Sequence, residues 1–441
     1  MTPLKKIHIT MKRTLGIALM AAICAGASAQ SGTNSPYSQF GLGLLSEQTS
    51  GFSRGMNGLG LGFHEGNQVN YLNPASYARI DSLTFIFDAG LSLHLTNFAE
   101  NGKKKNVKNA YLEYVVAGFR AGKGLGFSFG FVPYTNVGYN YSTTGSITTS
   151  SGTTTYTNGY AGNGGLHQVY VGVGWEPLKG LALGANVSYL WGNYNRSFLN
   201  SYSDASAKTV AHYYTVDVRS YKADFGAQYT ARISAKNRLT LGVTFSPGHK
   251  IGGQPALNVI STNSQTNVSD TTTYGDDMKL SIPTTFGVGA MWNHDQKWKI
   301  GVDYTLQKWA SLQYPDYVVD NHVATYALRD QMFSDRHKLT LGGDYCPATT
   351  GRGLFRRIHY RAGVSYATPY VKIQGNEGPK ELSASLGFSM PIINGYNNRS
   401  QLNVSVQWVR SSAKNYIREN IFRINVGLTF NERWFMKWKA E

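Results

Sequence analysis

From Leu83 to Leu95 the chain alternates. Leu83, Phe85, Phe87, Ala89, Leu91, Leu93 and Leu95 are apolar, with Thr84, Asp88, Gly90, Ser92 and His94 between them and Ile86 the one exception. A period of two describes a strand with one apolar and one polar face. Strands of soluble proteins usually end after about five or six residues, whereas about nine to eleven tilted residues cross a bilayer. The unit recurs in segments bounded by Gly, Pro, Asn and Asp. These begin near Ser82, Val107, Gly124, Leu166, Leu181, Thr209, Arg238, Leu280, Lys297, His337, Ile358, Glu381, Gln401 and Ile421. The segments near Thr209 and His337 alternate least well. The pattern predicts an all-β chain: a transmembrane antiparallel β-barrel of about 14 strands, an even number as single-chain bacterial barrels require.

The connections support this reading. Short joints fall at Ala121-Gly122-Lys123, Glu176 to Gly180, Ser234 to Asn237 and His294 to Gln296. Long ones fall at Ser142 to Gly165, Pro247 to Lys279 and Ser311 to Arg336, and read as polar coil rich in Ser, Thr, Asn and Gly. Barrels of this class pair short periplasmic turns with long outer loops, so both termini are expected in the periplasm. The joints around Thr350 and Tyr396 are longer than that rule predicts.

The leader agrees with export to the outer membrane of a Gram-negative cell. Met11-Lys12-Arg13 precedes a mostly apolar stretch from Leu15 to Cys24, and Ala27-Ser28-Ala29 offers a cleavage site. That is a signal peptide over residues 1–29, too short for a membrane-spanning helix. Bulky Ile23 before Cys24 argues against a lipoprotein. Cleavage leaves Cys346 alone, which excludes an intramolecular disulfide. It also removes Lys5, Lys6, Lys12 and Arg13, lowering the formal charge of +17 by four. The expected anionic partners are outer-membrane lipid and lipopolysaccharide, with Lys103-Lys104-Lys105 as a loop contact or simply a solvated run. No basic-aromatic groove motif points to nucleic acid. Twenty-nine tyrosines suit the aromatic girdles of such a barrel.

Residues 30–80 do not alternate. They are rich in Gly and Asn, with Gly55-Met56-Asn57-Gly58-Leu59-Gly60-Leu61-Gly62 followed by Asn70-Tyr71-Leu72-Asn73-Pro74-Ala75. Ahead of a barrel over residues 81–430, this stretch forms either a periplasmic tail or a plug in the lumen. Asn73-Pro74-Ala75, placed just before the first strand, resembles the hatch motif of the FadL/TodX-type outer-membrane family (OMPP1). Ser35-Pro36-Tyr37-Ser38-Gln39-Phe40-Gly41, Arg54-Gly55-Met56, Val132-Pro133-Tyr134 and the ending from Asn431 to Lys437 resemble a divergent branch of it. The resemblance implies an N-terminal hatch in the lumen and passive uptake of hydrophobic small molecules. It also implies a kinked third strand that opens the wall sideways, for which Gly126, Gly130 and Pro133 are the candidates. Pro133 equally fits the plain outer end of that strand, since proline cannot donate to a ladder.

Catalysis finds little support. Gly126-Phe127-Ser128-Phe129-Gly130 matches a nucleophile-elbow pattern, but that motif needs a strand-to-helix turn and Ser128 lies within an alternating strand. The histidines are scattered, and Asp276-Asp277 supplies too few oxygens for calcium. No enzyme activity, metal or cofactor is expected. The rival to a hydrophobic conduit is a structural or accessory subunit of an outer-membrane secretion or assembly complex. Two features favour it: the thin lining of Gly, Ser, Asn and Thr on the polar strand faces, and the basic-aromatic tail over residues 431–441. In that tail Trp434, Phe435, Lys437 and Trp438 serve as an interface anchor or dock an outer-membrane or periplasmic partner.

Overall fold

A computed structural model describes residues 33–149, 152–275, 278–321, 323–348, 353–392 and 400–432. The leader, Asp276-Asp277, Thr350, Tyr396 and the tail residues Trp434, Phe435, Lys437 and Trp438 lie outside the described residues. Fourteen antiparallel strands close on themselves. In chain order they are β1 (Phe85–Glu100), β2 (Lys103–Gly122), β3 (Leu125–Pro133), β4 (Gly152–Leu178), β5 (Leu181–Tyr202), β6 (Thr209–Arg232) and β7 (Asn237–Ser246). They continue as β8 (Thr284–His294), β9 (Trp298–Lys308), β10 (Arg336–Tyr345), β11 (His359–Ala367), β12 (Lys380–Pro391), β13 (Gln401–Ser412) and β14 (Arg418–Glu432). Each strand pairs with the next, and β14 closes onto β1 from Phe85↔Glu432 to Ala99↔Arg418. The ring of ladders is closed except along the part of β2 before Val115, and pairing of this kind satisfies backbone groups that would be costly to leave unpaired in lipid. The molecule is a transmembrane β-barrel of the outer-membrane kind.

The alternation sorts the side chains. Along β5, Leu183, Val187 and Tyr189 are exposed to the outside while Asn186, Ser188 and Leu190 are buried inside. Along β14, Phe422, Ile424, Val426 and Phe430 face out against buried Asn425, Thr429 and Asn431. One end of the barrel carries tight turns: Gly124, Gly180, Asp295 and Gln296 all have positive φ there.

Three expectations are corrected. The first strand begins at Phe85, because Leu83 turns the chain at φ +60°. The outer connections are largely folded: residues 135–149 pair with 152–164, and 256–262 lie between 269–274 and the start of β6. A hairpin of 314–320 and 323–329 forms in the third. Their Ser/Thr/Tyr composition carries little apolar-polar alternation beyond Val137, Tyr139 and Tyr141, yet Thr and Tyr favour extended backbone. Third, Lys103-Lys104-Lys105 does not lie in a loop: it opens β2, directly after a two-residue turn at Asn101-Gly102.

Candidate functional site

The N-terminal residues 33–84 are hydrogen-bonded to interior-facing side chains of β2, β4, β5, β6, β9 and β11 to β14. Asn73 opens a short 3₁₀ helix, Pro74–Arg79, by accepting from the Ala75 amide at 3.2 Å. Its Nδ2 donates to the carbonyls of Leu61 at 2.9 Å and Ala227 at 3.2 Å. Proline supplies the fixed φ that a first helical position favours. Asn73, Pro74 and Ala75 thus meet as one unit pressed on the wall.

The wall makes room for that helix with glycine. Gly126, Gly174, Gly184 and Gly226 stand side by side across β3, β4, β5 and β6. A Cβ on Gly126 would lie 2.0 Å from the Tyr77 carbonyl oxygen, and one on Gly184 would lie 2.3 Å from the Pro74 carbonyl carbon. On the opposite wall Gly363 has the same relation to Met56, at 2.4 Å, and Gly387 to Gly55, at 2.9 Å.

Charge then ties the segment down. Buried Arg54 meets Glu113 of β2 at 2.9 Å and donates from Nε to the Thr49 carbonyl at 3.2 Å. Glu113 reaches the interior because β2 bulges opposite Gly90 and Leu91, turning Glu113 and Tyr114 both inward. Glu47 pairs with Arg423 at 3.0 Å, and Glu65 with Lys299. Burial resists ionisation of Glu47, but Arg423, Lys338 and Arg54 outweigh it and hold its carboxyl down at about 2. Asp303 of β9 accepts from the amides of Gly60 at 2.6 Å and Leu61 at 2.8 Å. Asn57 donates to Ser365 at 2.8 Å and Ser383 at 2.7 Å. Arg54, Gly55 and Met56 sit together among these contacts. The sequence pattern does not distinguish Glu113, Asp303 or Arg423, each of which shows there only as a charged residue within a strand.

The third strand is interrupted where a proline stands. On the β2 side its ladder runs from Arg120↔Gly126 to Val115↔Phe131 and stops. On the β4 side it continues to Pro133↔His167. The chain then bends at Tyr134, and residues 135–149 pair with β4 alone except where Leu44 and Leu45 join Asn136 and Thr135. The N-terminal segment fills the space between β2 and this extension, with Asn34 donating to Asn109 at 2.6 Å. Gly126 and Gly130 therefore lie within continuous pairing, and only Pro133 marks the break.

Among the described residues, most of residues 33–84 are buried against the wall. A cavity bounded by Glu47, His94, Glu113 and Arg423 measures about 40 Å³, enough for water and far too small for a ligand. At the loop end Trp309 packs on Phe333 and Tyr370 over buried Leu42. Ser128 donates to the Ala117 carbonyl at 2.8 Å and contacts the Tyr170 hydroxyl, so it sits in no nucleophile elbow. Among the described residues no His, Cys, Asp or Glu cluster has the geometry of a metal site.

These features define a fourteen-stranded outer-membrane barrel of the FadL/TodX architecture. The Pseudomonas putida toluene transporter TodX superposes with a TM-score of 0.59 at 13% identity, over 89% of this chain and 100% of that one. The Ralstonia pickettii toluene transporter TbuX gives 0.58 at 15%, over 87% and 98%. A Pseudomonas aeruginosa FadL homologue gives 0.58 at 13%, over 88% and 98%. The likeness is one of fold. The chain itself belongs to the BamG family, whose model matches residues 11–441. No curated protein matches it.

Proposed function

We propose that this barrel is a structural or accessory subunit of an outer-membrane secretion or assembly complex. The observation that carries the reading is the filled interior. A conduit for hydrophobic compounds needs an apolar pocket of several hundred Å³. Here the axis is occupied by residues 33–84, which bind the wall through ion pairs and amide hydrogen bonds. Residues 1–29 act as a signal peptide, and 30–80 form the hatch, with Asn73, Pro74 and Ala75 as its wall contact. The short-turn end faces the periplasm, and the tail over 431–441 anchors there through Trp434, Phe435, Lys437 and Trp438. Lipid and lipopolysaccharide surround the apolar wall.

A second reading stays open because of the break at Pro133: passive uptake of hydrophobic small molecules through a hatch-gated lumen, as the resemblance to toluene transporters suggests. Purification from native membranes in mild detergent separates the two. The accessory reading expects a stoichiometric protein complex and no lipid-like density inside the barrel. A solitary barrel with hydrophobic density beside Asn73 would overturn it in favour of uptake.

A further inference from the structure

The outer wall carries one feature that neither reading uses. Two neighbouring rows of outward side chains cross β9 to β13 near the short-turn end. The row nearer that end is Trp298, Tyr345, Tyr360, Phe388 and Val404, each directly paired with the next. The row above it is Ile300, Gly343, Ala362, Leu386 and Val406. Gly343 and Ala362 face each other, so only one methyl group stands between exposed Ile300 and Leu386. The result is a cleft of about 630 Å³ in the lipid-facing wall. Its walls are apolar side chains, its floor is backbone, and aromatic rings bound its lower edge.

The connection beneath the cleft, between β10 and β11, is longer than the tight turns at this end. Leu354 and Phe355 are exposed there, Phe355 by 76%, and they are followed by Arg356 and Arg357. The Tyr360 hydroxyl donates to the Phe355 carbonyl at 3.4 Å, which sets this turn directly under the ring that lines the cleft. Arg357 has a buried Nε without a hydrogen-bond partner. An apolar slot above a turn that carries two arginines, Arg356 and Arg357, matches a molecule with a long hydrocarbon tail and an anionic phosphate head.

We infer that this cleft binds one glycerophospholipid of the periplasmic leaflet, with an acyl chain over Gly343 and Ala362 and its phosphate at Arg356 and Arg357. The leaflet rests on the orientation proposed above; the site itself does not. A chain lying in the notch regains the dispersion contacts that a glycine and an alanine leave unmade. Each arginine near a phosphate adds electrostatic attraction.

The test uses the full barrel in phosphatidylcholine vesicles carrying a small fraction of diazirine-tailed phosphatidylglycerol. Photolysis is expected to label peptides containing Tyr360 and Leu386 above those of the opposite wall around Val187 and Tyr221. Ala362→Leu, which fills the notch, should abolish the excess. Arg356→Ala with Arg357→Ala should lower it roughly tenfold. Heat-modifiable migration checks that each variant is folded, and Ala362→Val stands in if Ala362→Leu is not. Even labelling around the barrel, or an excess unchanged by both sets of variants, overturns the inference. Accessibility of Phe355→Cys in intact cells, in the Cys346→Ser background, tests the orientation on its own.

Discussion

Arg54 and Glu113 face each other at 2.9 Å in the barrel interior, both almost wholly buried, and they join the N-terminal segment to β2. Removing one partner of a buried pair leaves a charge with no compensation, at a cost of about 3–5 kcal/mol. Arg54→Ala is therefore expected to lower the urea midpoint of the folded barrel strongly. Arg54→Ala combined with Glu113→Ala should recover part of the loss. A double variant less stable than the single by the full cost of Glu113→Ala would show that the two residues do not act as a pair.

The glycine row predicts a steric effect separable from charge. Gly184→Leu places side-chain atoms where Pro74 and Ala75 now lie. Overpacking of this kind costs about 1–3 kcal/mol when the neighbour can move. The 3₁₀ helix is the part able to move, because the wall is locked by its ladders. Trypsin should then cut at Arg79 in the variant and spare it in the parent, with the barrel's heat-modifiable migration retained. Equal resistance in both would mean the helix does not depend on this clearance.

Much of the barrel was legible because lipid imposes a strict rule on one face of each strand. The two least regular segments, near Thr209 and His337, both form strands, Thr209–Arg232 and Arg336–Tyr345. Legibility failed where that rule lapses: the strands over 135–149 and 256–262 are largely Ser, Thr, Asn and Gly, and beyond Val137, Tyr139 and Tyr141 their patterns carry little alternation. It failed too for the interior. Asp303 lies more than 240 residues from Gly60 and Leu61, whose amides it accepts. Nothing local distinguishes it from any polar residue facing the lumen. Asn73-Pro74-Ala75 was visible because its chemistry is local, a cap followed by a proline.

Asp303 makes two charge-assisted hydrogen bonds to backbone amides of the segment, each worth about 1.5–3 kcal/mol. Asp303→Leu removes the Oδ2 acceptor that both amides share and leaves the two N–H groups buried. Hydrogen exchange should accelerate first at Gly60 and Leu61, ahead of the β9 amides. If β9 itself opens at the same rate, the carboxylate supports the strand rather than the segment.

Acid should loosen the segment before it opens the barrel. His64 is pushed down to about 4, chiefly by burial and then by Arg79, against an ordinary value of 6.5. Glu47 is held at about 2 against an ordinary 4.5. Both folded values are depressed, so each group's contribution is complete above its ordinary value and is lost as pH falls through the folded one. The His64 contribution fades between about pH 6.5 and 4, and that of Glu47 between about 4.5 and 2. Protease sensitivity of residues 47–64 should rise in two stages over these ranges. His64→Gln should remove the upper stage and leave the lower.

Whether the segment must move is decided by locking it. Leu44 and Asn136 are directly paired antiparallel residues, with the side chains of such pairs on one face and Cα atoms within disulfide reach. Leu44→Cys with Asn136→Cys, in a Cys346→Ser background, would staple the segment to the extension of β3 beside the Pro133 break. A barrel that serves as a sealed subunit needs no motion there. The oxidised variant should then be recovered with its partner proteins in the same yield as the reduced one. A hatch that opens for uptake predicts the reverse: toluene entry into cells would depend on the barrel, fall on oxidation and return with dithiothreitol. That redox-reversible uptake would displace the accessory reading, because a structural subunit has no reason to respond to a bond that merely holds the segment where it already lies.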